Sequence, residues 1–374
     1  MKKLYNAIGL MSGTSMDGVD CSIIQSDGDT KYSVICDMYF AYNSNLRKKL
    51  TILRDKINSY KNIKEVQAEI SDVEKQITLF HGKAVNEIII ESKLNNNKID
   101  LIGFHGHTIY HNAKDKQTFQ IGDGHLLSQI CNKSVVYDFR KNDIKNGGEG
   151  APLTPIFHKI MVNHKKIDMP VLILNIGGIS NWTLVKNNNN HEIYSSDIGP
   201  GNCLIDKWIK INSKFDFDKN GEISDSGKVN KLILNQAIDN WSDIFNSNIS
   251  KKNKSYDVND FDLSFLRGLS LEDGAATISE FTAHLISENL NQIKNVNNII
   301  VCGGGRKNQY LFDKISKKTK SNLKLIDYYG INGDYVESQA FALLAIRSYL
   351  NLPISFPNTT GCFESSSGGV IIKN

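Results

Sequence analysis

Residues 9–20 read Gly9-Leu-Met-Ser-Gly-Thr-Ser-Met-Asp-Gly-Val-Asp20, and residues 175–181 read Asn175-Ile-Gly-Gly-Ile-Ser-Asn181. Each stretch sets glycines and hydroxyls between two apolar runs. Ile8–Met11 and Val19–Ile24 flank the first turn, and Met169–Ile176 and Trp182–Val185 flank the second. Both read as strand, Gly/Ser turn, strand. An ordinary hairpin turn needs only one or two such residues. Residues 9–20 carry three glycines, three hydroxyls and two carboxylates, which is more than a turn requires. Two similar hairpins, each opening a half of the chain, point to an internal duplication with a boundary near 160–168.

The surrounding chain alternates strand-like and helix-like stretches, the pattern of an α/β architecture. Tyr32–Phe40 reads as a third strand. Val66, Ile70, Val73, Ile77, Phe80, Ala84 and Ile88 recur every three or four residues, which predicts a long helix with one buried face. Ile99–Phe104 and Ser134–Tyr137 read as short strands. Ile299–Cys302 reads as a strand running into three glycines, followed by a helix through Leu311 and Ile315, and Val336–Tyr349 as another helix. The polar tracts Asn95–Asn97, Asn187–Asn190 and Ser247–Lys254 read as surface turns.

With 374 residues, the length suits two domains of ordinary size. Hydrophobic residues at 40% and charged residues at 22% allow a sizeable core and exclude wholesale disorder. A net charge of +4, from 44 basic and 40 acidic residues, argues against a dedicated nucleic-acid binder. There is no run of 18 apolar residues, so no membrane-spanning helix is expected. The first ten residues read as the start of a first strand and not as a signal peptide. Six single cysteines, at 21, 36, 131, 203, 302 and 362, contain no Cys-x-x-Cys and suit a reducing cytoplasm.

Several constellations carry chemistry. In residues 9–20, successive backbone N–H groups would form an anion-binding nest, and the hydroxyls add donors for phosphate oxygens. Asp17 and Asp20 suit Mg²⁺, directly or through water. Cys302-Gly-Gly-Gly-Arg-Lys-Asn308 would let a flat base lie against the backbone. It is not a dinucleotide fingerprint, because Asn308 stands where the third glycine belongs. Asp197 precedes a sharp Gly-Pro-Gly turn, where a rigid carboxylate can serve as a general base. His105 and His107 alternate along a strand and would share one face. With His111 they are candidates for a metal site, or for hydrogen bonds to a substrate. Arg140 suits a carboxylate or phosphate, and Asp138 and Asp143 suit sugar hydroxyls. The alternative is a plain Asp138–Arg140–Asp143 ion-pair cluster.

Read in order, these motifs resemble the anhydro-N-acetylmuramic acid kinase family. They are the 9–20 stretch, Gly-Phe-His-Gly-His-Thr from 103, Gln-Ile-Gly-Asp-Gly from 120 and Asp-Phe-Arg-x-x-Asp from 138. Gly-Gly-Glu-Gly-Ala-Pro-Leu-Thr-Pro-x-Phe-His from 147, the 175–181 stretch, Asp-Ile-Gly-Pro-Gly-Asn from 197 and Cys-Gly-Gly-Gly-Arg-x-Asn from 302 complete the set. The resemblance implies the fold of the actin-like ATPase and sugar-kinase superfamily: two related ribonuclease H-like α/β domains with an active-site cleft between them. The corresponding division is residues 1–165, with the first phosphate loop and much of the sugar site, and residues 166–374. The latter would hold the second phosphate loop, the catalytic aspartate and the adenosine loop.

The reaction implied is hydrolytic opening of a 1,6-anhydro muramic sugar with transfer of the γ-phosphoryl of ATP to the 6-oxygen, in cell-wall recycling. Asp197 matches the family's catalytic aspartate. ATP-binding candidates are Gly13, Thr14, Ser15, Met16, Asp17, Gly18, Val19 and Asp20 in the first loop, with Mg²⁺ on Asp17 and Asp20. Gly177, Gly178, Gly199, Gly201, Asn202, Gly303, Gly304, Gly305 and Asn308 complete that set. Substrate-binding candidates are His105, His107, Thr108, Gln120, Asp138, Arg140, Asp143 and Glu337, with Arg140 assigned to the lactyl carboxylate. A homodimer is a further implication. This sequence departs from the family at His107 and Glu149, where glutamine is usual. The family's Pro-Pro-Lys-Ser-Thr-Gly stretch appears only as Asn253–Tyr256. The rival readings are a metal-dependent hydrolase built on His105, His107 and His111, and a non-catalytic actin-like ATPase.

Overall fold

The computed structural model describes residues 2–13, 15–57, 59–112, 115–247, 256, 258 and 261–374, with side chains omitted for 242–247. Thr14 and residues 253–255 of the altered stretch therefore lie outside the described residues. The chain divides into two units. One comprises Met1–Ile167, Asn188–Ile193 and Asp334–Asn374, and the other Asp168–Asn187 and Tyr194–Gly333. This differs from two consecutive segments, because the C-terminal 41 residues return to the first unit. Glu337 therefore belongs to the same unit as the first glycine turn.

In the first unit, β1 (Tyr5–Ser12), β2 (Gly18–Ser26) and β3 (Tyr32–Ala41) form an antiparallel meander. β4 (Leu101–Asn112) pairs parallel to β1, and β5 (Gln117–Ile121) folds back on it. β6 (Ser134–Tyr137) then pairs parallel to β4. In the second unit, β7 (Val171–Ile176), β8 (Ile179–Val185) and β9 (Ile193–Pro200) follow one another in the sheet. β10 (Asn298–Cys302) is parallel to β7, and β11 (Asn322–Leu325) is parallel to β10. The described sheets run β3-β2-β1-β4-β6 and β9-β8-β7-β10-β11, the same path twice. Only the first adds β12 (Val370–Ile372), antiparallel to β6. This repeated order is the arrangement that the two hairpins and the family resemblance led us to expect.

Alternation builds the layers. Ile8 and Leu10 of β1, with Cys21 and Ile23 opposite them, face the helices Ser44–Lys56 and Gln67–Ser92. The latter contributes Ile70, Val73, Ile77, Ala84 and Ile88, the face predicted from periodicity. Burying each such side chain contributes about 1.5–3 kcal/mol. Gly9 and Gly103 lie side by side on the opposite face. A Cβ at either would overlap backbone of the helix Val336–Tyr349, at Ser338 and Phe341 respectively. Two adjacent glycines thus let this Ala-rich helix lie directly on the sheet. Its first turn is tied down by Gln339 Nε2, which donates to both Asp37 oxygens (3.1 and 3.0 Å). Ser22 Oγ donates to the same carboxylate at 2.6 Å.

In the second unit, Leu172, Leu174 and Ile176 of β7 pack with Ile299 and Val301 of β10. The helices Cys203–Asn212, Leu271–Gln292 and Gln309–Lys318 cover them.

Candidate active site

The first glycine turn leaves the carboxyl end of β1, and the second leaves the carboxyl end of β7. Ligands favour such strand ends in α/β sheets. In the first turn Met16 adopts φ +54°, and its N–H donates to the Gly13 carbonyl at 3.2 Å. The Met16 side chain is buried in the unit's core, as is Val19, so only their backbone is available to a ligand. Gly18 is likewise buried, against Tyr39 and Phe40 of β3. Ser15 and Asp17 are exposed, with Ser15 Oγ donating to Asp17 Oδ1 at 2.6 Å, and Asp20 is half-buried. Burial first, and then Asp17 and Asp20, push the Tyr39 hydroxyl well above its ordinary pKa. Both carboxylates therefore act on one spot beside the turn.

In the second unit, three glycine-rich segments meet. The N–H groups of Gly201 and Cys203 donate to the Gly178 carbonyl (2.9 and 3.2 Å), and Asn202 N–H donates to the Gly177 carbonyl (2.8 Å). Ser180 Oγ donates to the Gly199 and Pro200 carbonyls at 3.1 and 3.3 Å. A Cβ at Gly201 would overlap the Gly177 oxygen, so this lock requires glycine. Gly303 packs equally close to Asn175 Oδ1, joining the third segment to the second turn. Arg306 holds the Gly303–Gly305 segment. It donates from Nη1 to the Gly303 carbonyl (3.1 Å), and from Nε and Nη2 to Asp327 (2.8 and 3.1 Å). Asn308 is committed differently from the expectation: its Oδ1 accepts Leu311 N–H at 2.9 Å and caps the helix Gln309–Lys318. Asp197 lies in β9, 7% exposed, and its Oδ2 accepts the Tyr256 backbone N–H at 3.0 Å. A rigid carboxylate thus stands two residues before the locked Gly199–Gly201 turn.

The histidines of β4 do not share a face. Gly106 takes φ +71° and the pairing with β1 slips by one residue there, a β-bulge that reverses the alternation. His105 lies against Phe341, ring centres 4.6 Å apart. His107 lies on the side of the helices Ser44–Lys56 and Gln67–Ser92, where burial, then His81 and Arg54, hold its pKa at about 3. His107 Nδ1 is 3.0 Å from Ser12 Oγ, so its ring serves the first turn from within. His111 Nδ1 instead meets Thr118 Oγ1 at 3.0 Å. Among the described residues, no group of three His, Cys, Asp or Glu side chains is arranged to hold a metal. The bulge thus removes the geometric basis of the metal-hydrolase reading.

His105 Nδ1 is 2.9 Å from the Gly106 carbonyl and must donate to it. Its Nε2 therefore accepts, from Arg140 Nε (3.2 Å) and Nη2 (2.9 Å). Burial first, and then Arg140, hold His105 well below the usual histidine range, as this neutral tautomer requires. Arg140 Nη1 donates to the Gly150 carbonyl at 2.7 Å, so the whole guanidinium is oriented. Asp138 pairs with Lys141 at 2.6 Å. Asp143 is buried and accepts from Gly150 N–H (2.7 Å) and Thr360 Oγ1 (2.6 Å), bracing the loop. Gln120 Nε2 donates to Thr118 Oγ1 (2.7 Å) and Thr108 Oγ1 (3.2 Å). Its Oε1 is buried and has no hydrogen-bond partner among the described residues. Glu337 is half-buried in the first turn of the helix Val336–Tyr349.

Tyr42, Asp327 and Thr360 shape these sites and were not singled out from sequence, while Ser12, Ser180 and Arg306 lie inside the quoted motifs without their partners being legible. Each acts on a partner brought to it by the fold, and no local motif marks such a pairing.

Comparison with known proteins agrees with this geometry. The family described as anhydro-N-acetylmuramic acid kinase matches residues 5–374. The chain is 51% identical over 383 aligned positions to an anhydro-N-acetylmuramic acid kinase of Pelagibacter ubique (strain HTCC1062), with 100% of both chains covered. It is 37% identical to that of Zymomonas mobilis subsp. mobilis, covering 98% of this chain and 99% of the other. It is 35% identical to that of Brucella canis, covering 100% of each. A match spanning the glycine turns, Asp197 and the returning C-terminal helix places this chain in the anhydro-N-acetylmuramic acid kinase family.

Proposed function

We propose that this chain opens the 1,6-anhydro bridge of anhydro-N-acetylmuramic acid with water and phosphorylates the freed 6-oxygen, using ATP. As a member of its family it is an ATP-dependent carbohydrate kinase acting in cell-wall recycling. A non-catalytic filament ATPase loses its ground, since the matched family is one of kinases. The observation that carries our reading is the buried Asp197 carboxylate, held by Tyr256 N–H and followed by a turn locked onto Gly177 and Gly178.

In this reading Asp197 takes a proton from water as the water oxygen bonds to the anomeric carbon. The bond from that carbon to the 6-oxygen breaks. The 6-oxygen then bonds to the γ-phosphorus, the bridge to the β-phosphate breaks, and ADP leaves. Holding reactants in line in this way supplies about 7–11 kcal/mol of such a barrier. The first glycine turn, apart from the Met16 N–H that is turned onto the Gly13 carbonyl, and the backbone N–H groups of Gly177 and Gly178 are assigned to phosphate oxygens. Gly199, Gly201 and Asn202 belong to the same phosphate group, and Gly303–Gly305 to the adenosine. Asp17 and Asp20 are hard oxygen donors beside the turn and fit Mg²⁺, which binds through one or two carboxylates plus phosphates. When bound there, Mg²⁺ would neutralise phosphate charge.

On the sugar side, the buried Gln120 Oε1 is an acceptor awaiting a donor, which a sugar hydroxyl supplies. Thr108 shares its hydrogen-bond group. Arg140, oriented by His105, is assigned to the lactyl carboxylate. Asp138 and Glu337 are the remaining carboxylates of the sugar side.

The described residues contain no helix long and apolar enough to cross a membrane. Six free cysteines support a cytoplasmic location, and the weak net charge supports small-molecule partners over nucleic acid. A homodimer is the expected assembly, to be read by light scattering. The activity is tested by coupled ADP release from Mg-ATP and the anhydro sugar, beside Asp197→Asn. Sugar-dependent turnover that falls by at least about 100-fold in the variant is expected for loss of a general base. Equal turnover in the two proteins would remove Asp197 from that role.

A further inference from the structure

We propose that Tyr42 is a positioning residue that clamps the first glycine turn at both ends, with Ser12 and His107 completing the clamp. This rests on reading that turn as a phosphate loop. The turn leaves the sheet at Ser12 and re-enters it at Gly18. Tyr42, just past β3, reaches both sides of it. Its backbone N–H donates to the Asp17 carbonyl at 2.8 Å. Its hydroxyl donates to Ser12 Oγ at 2.9 Å.

The ring is 7% exposed, lies edge-on to Phe80 with centres 4.9 Å apart, and shares a core with Met16, the inward side chain of the turn. Ser12 Oγ, while accepting from Tyr42, also lies 3.0 Å from His107 Nδ1 and shares a hydrogen bond with it. Burial holds the His107 ring neutral. Three side chains outside the turn thus set where its N–H groups point before any phosphate arrives. A turn that had to be ordered on binding would lose that cost from its affinity for phosphate.

The direct test is calorimetric titration of the full chain with ADP and, separately, with adenosine, in the presence of Mg²⁺. Tyr42→Phe removes only the hydroxyl and keeps the ring and the backbone donor. ADP affinity should fall about fivefold, the worth of one neutral hydrogen bond, while adenosine affinity stays within about twofold. Ser12→Ala should give the same split, and the double variant should be little worse than either single one, because all report one chain of hydrogen bonds. His107→Gln, whose amide can also hydrogen-bond Ser12, should retain the ADP affinity that His107→Leu loses. Unchanged ADP affinity in both Tyr42→Phe and Ser12→Ala would overturn the clamp. So would a parallel loss of ADP and adenosine affinity, which marks a merely structural residue. An unaltered chain that binds ADP no tighter than adenosine would overturn the phosphate reading of the turn, and the clamp with it.

Discussion

Lowering the pH from 7 to 5.5 should destabilise the first unit far more than the second. Four histidines, His81, His105, His107 and His158, are at most 4% exposed, and all four belong to the first unit. Burial holds His81 at about 4 and His107 and His158 at about 3, and pushes His105 well below its ordinary value. In the unfolded chain each returns to about 6.5. Between about pH 6.5 and 4 the unfolded state therefore binds more protons than the folded one, and stability must fall as pH falls. Between pH 7 and 5.5 each histidine held neutral costs the fold roughly 1 kcal/mol, so the four together cost several kcal/mol. A domain's whole stability is about 5–15 kcal/mol, so the loss is large enough to populate the unfolded unit. The second unit holds only His284. The assay is hydrogen exchange read by mass spectrometry at pH 7.5 and 5.5, corrected for intrinsic rates. Amides of β1 and β4 should lose protection by orders of magnitude, while those of β7 and β10 keep it. Equal protection of β1 and β4 at the two pH values would mean that these histidines do not set the pH stability of the unit.

Two further perturbations separate packing from ligand binding. Gly103→Ala drives a Cβ into the Phe341 carbonyl. It should lower stability by about 1–3 kcal/mol, read as a lower Tm, because backbone cannot step aside as a flexible side chain can. Asp327→Ala removes the carboxylate that holds Arg306 beside Gly303. The KM for ATP should rise severalfold while the KM for the sugar stays constant, and a rise in both would make the pair a general stabiliser.

What the sequence made legible was local. The hairpins β1–β2 and β7–β8 announce themselves because glycine and hydroxyl clusters interrupt apolar runs within ten residues. The helix Gln67–Ser92 announces itself because its buried residues keep a helical period. β9 was hidden, since Ser196–Asn202 looks like turn chemistry throughout, yet Asp197 lies within the strand. The short strands β5, β11 and β12 left too few alternating positions to be recognised. Val336–Tyr349 was readable as a helix, but its return to the first unit depends on Gly9 and Gly103 accepting it, a contact some 235–330 residues away in sequence.

The histidine motif misled for a physical reason. Alternation assumes an unbroken strand, and the positive φ at Gly106 turns His107 to the opposite side. Asn308 and Asp143 have structural tasks that local sequence did not show, as a helix cap and a loop brace. Tyr42, Thr360 and the Arg306–Asp327 pair act through partners that only the fold supplies.

In the proposed reaction one protein couples addition of water at the anomeric carbon to phosphorylation of the oxygen it releases. Turnover of the anhydro sugar with Mg-ATP in ¹⁸O-enriched water, read by mass spectrometry of the product, follows both steps at once. The expected product carries one ¹⁸O per sugar phosphate, on the anomeric hydroxyl, with an unlabelled phosphoryl group. Product whose label sits on the phosphoryl group, or that carries none, would contradict that reaction.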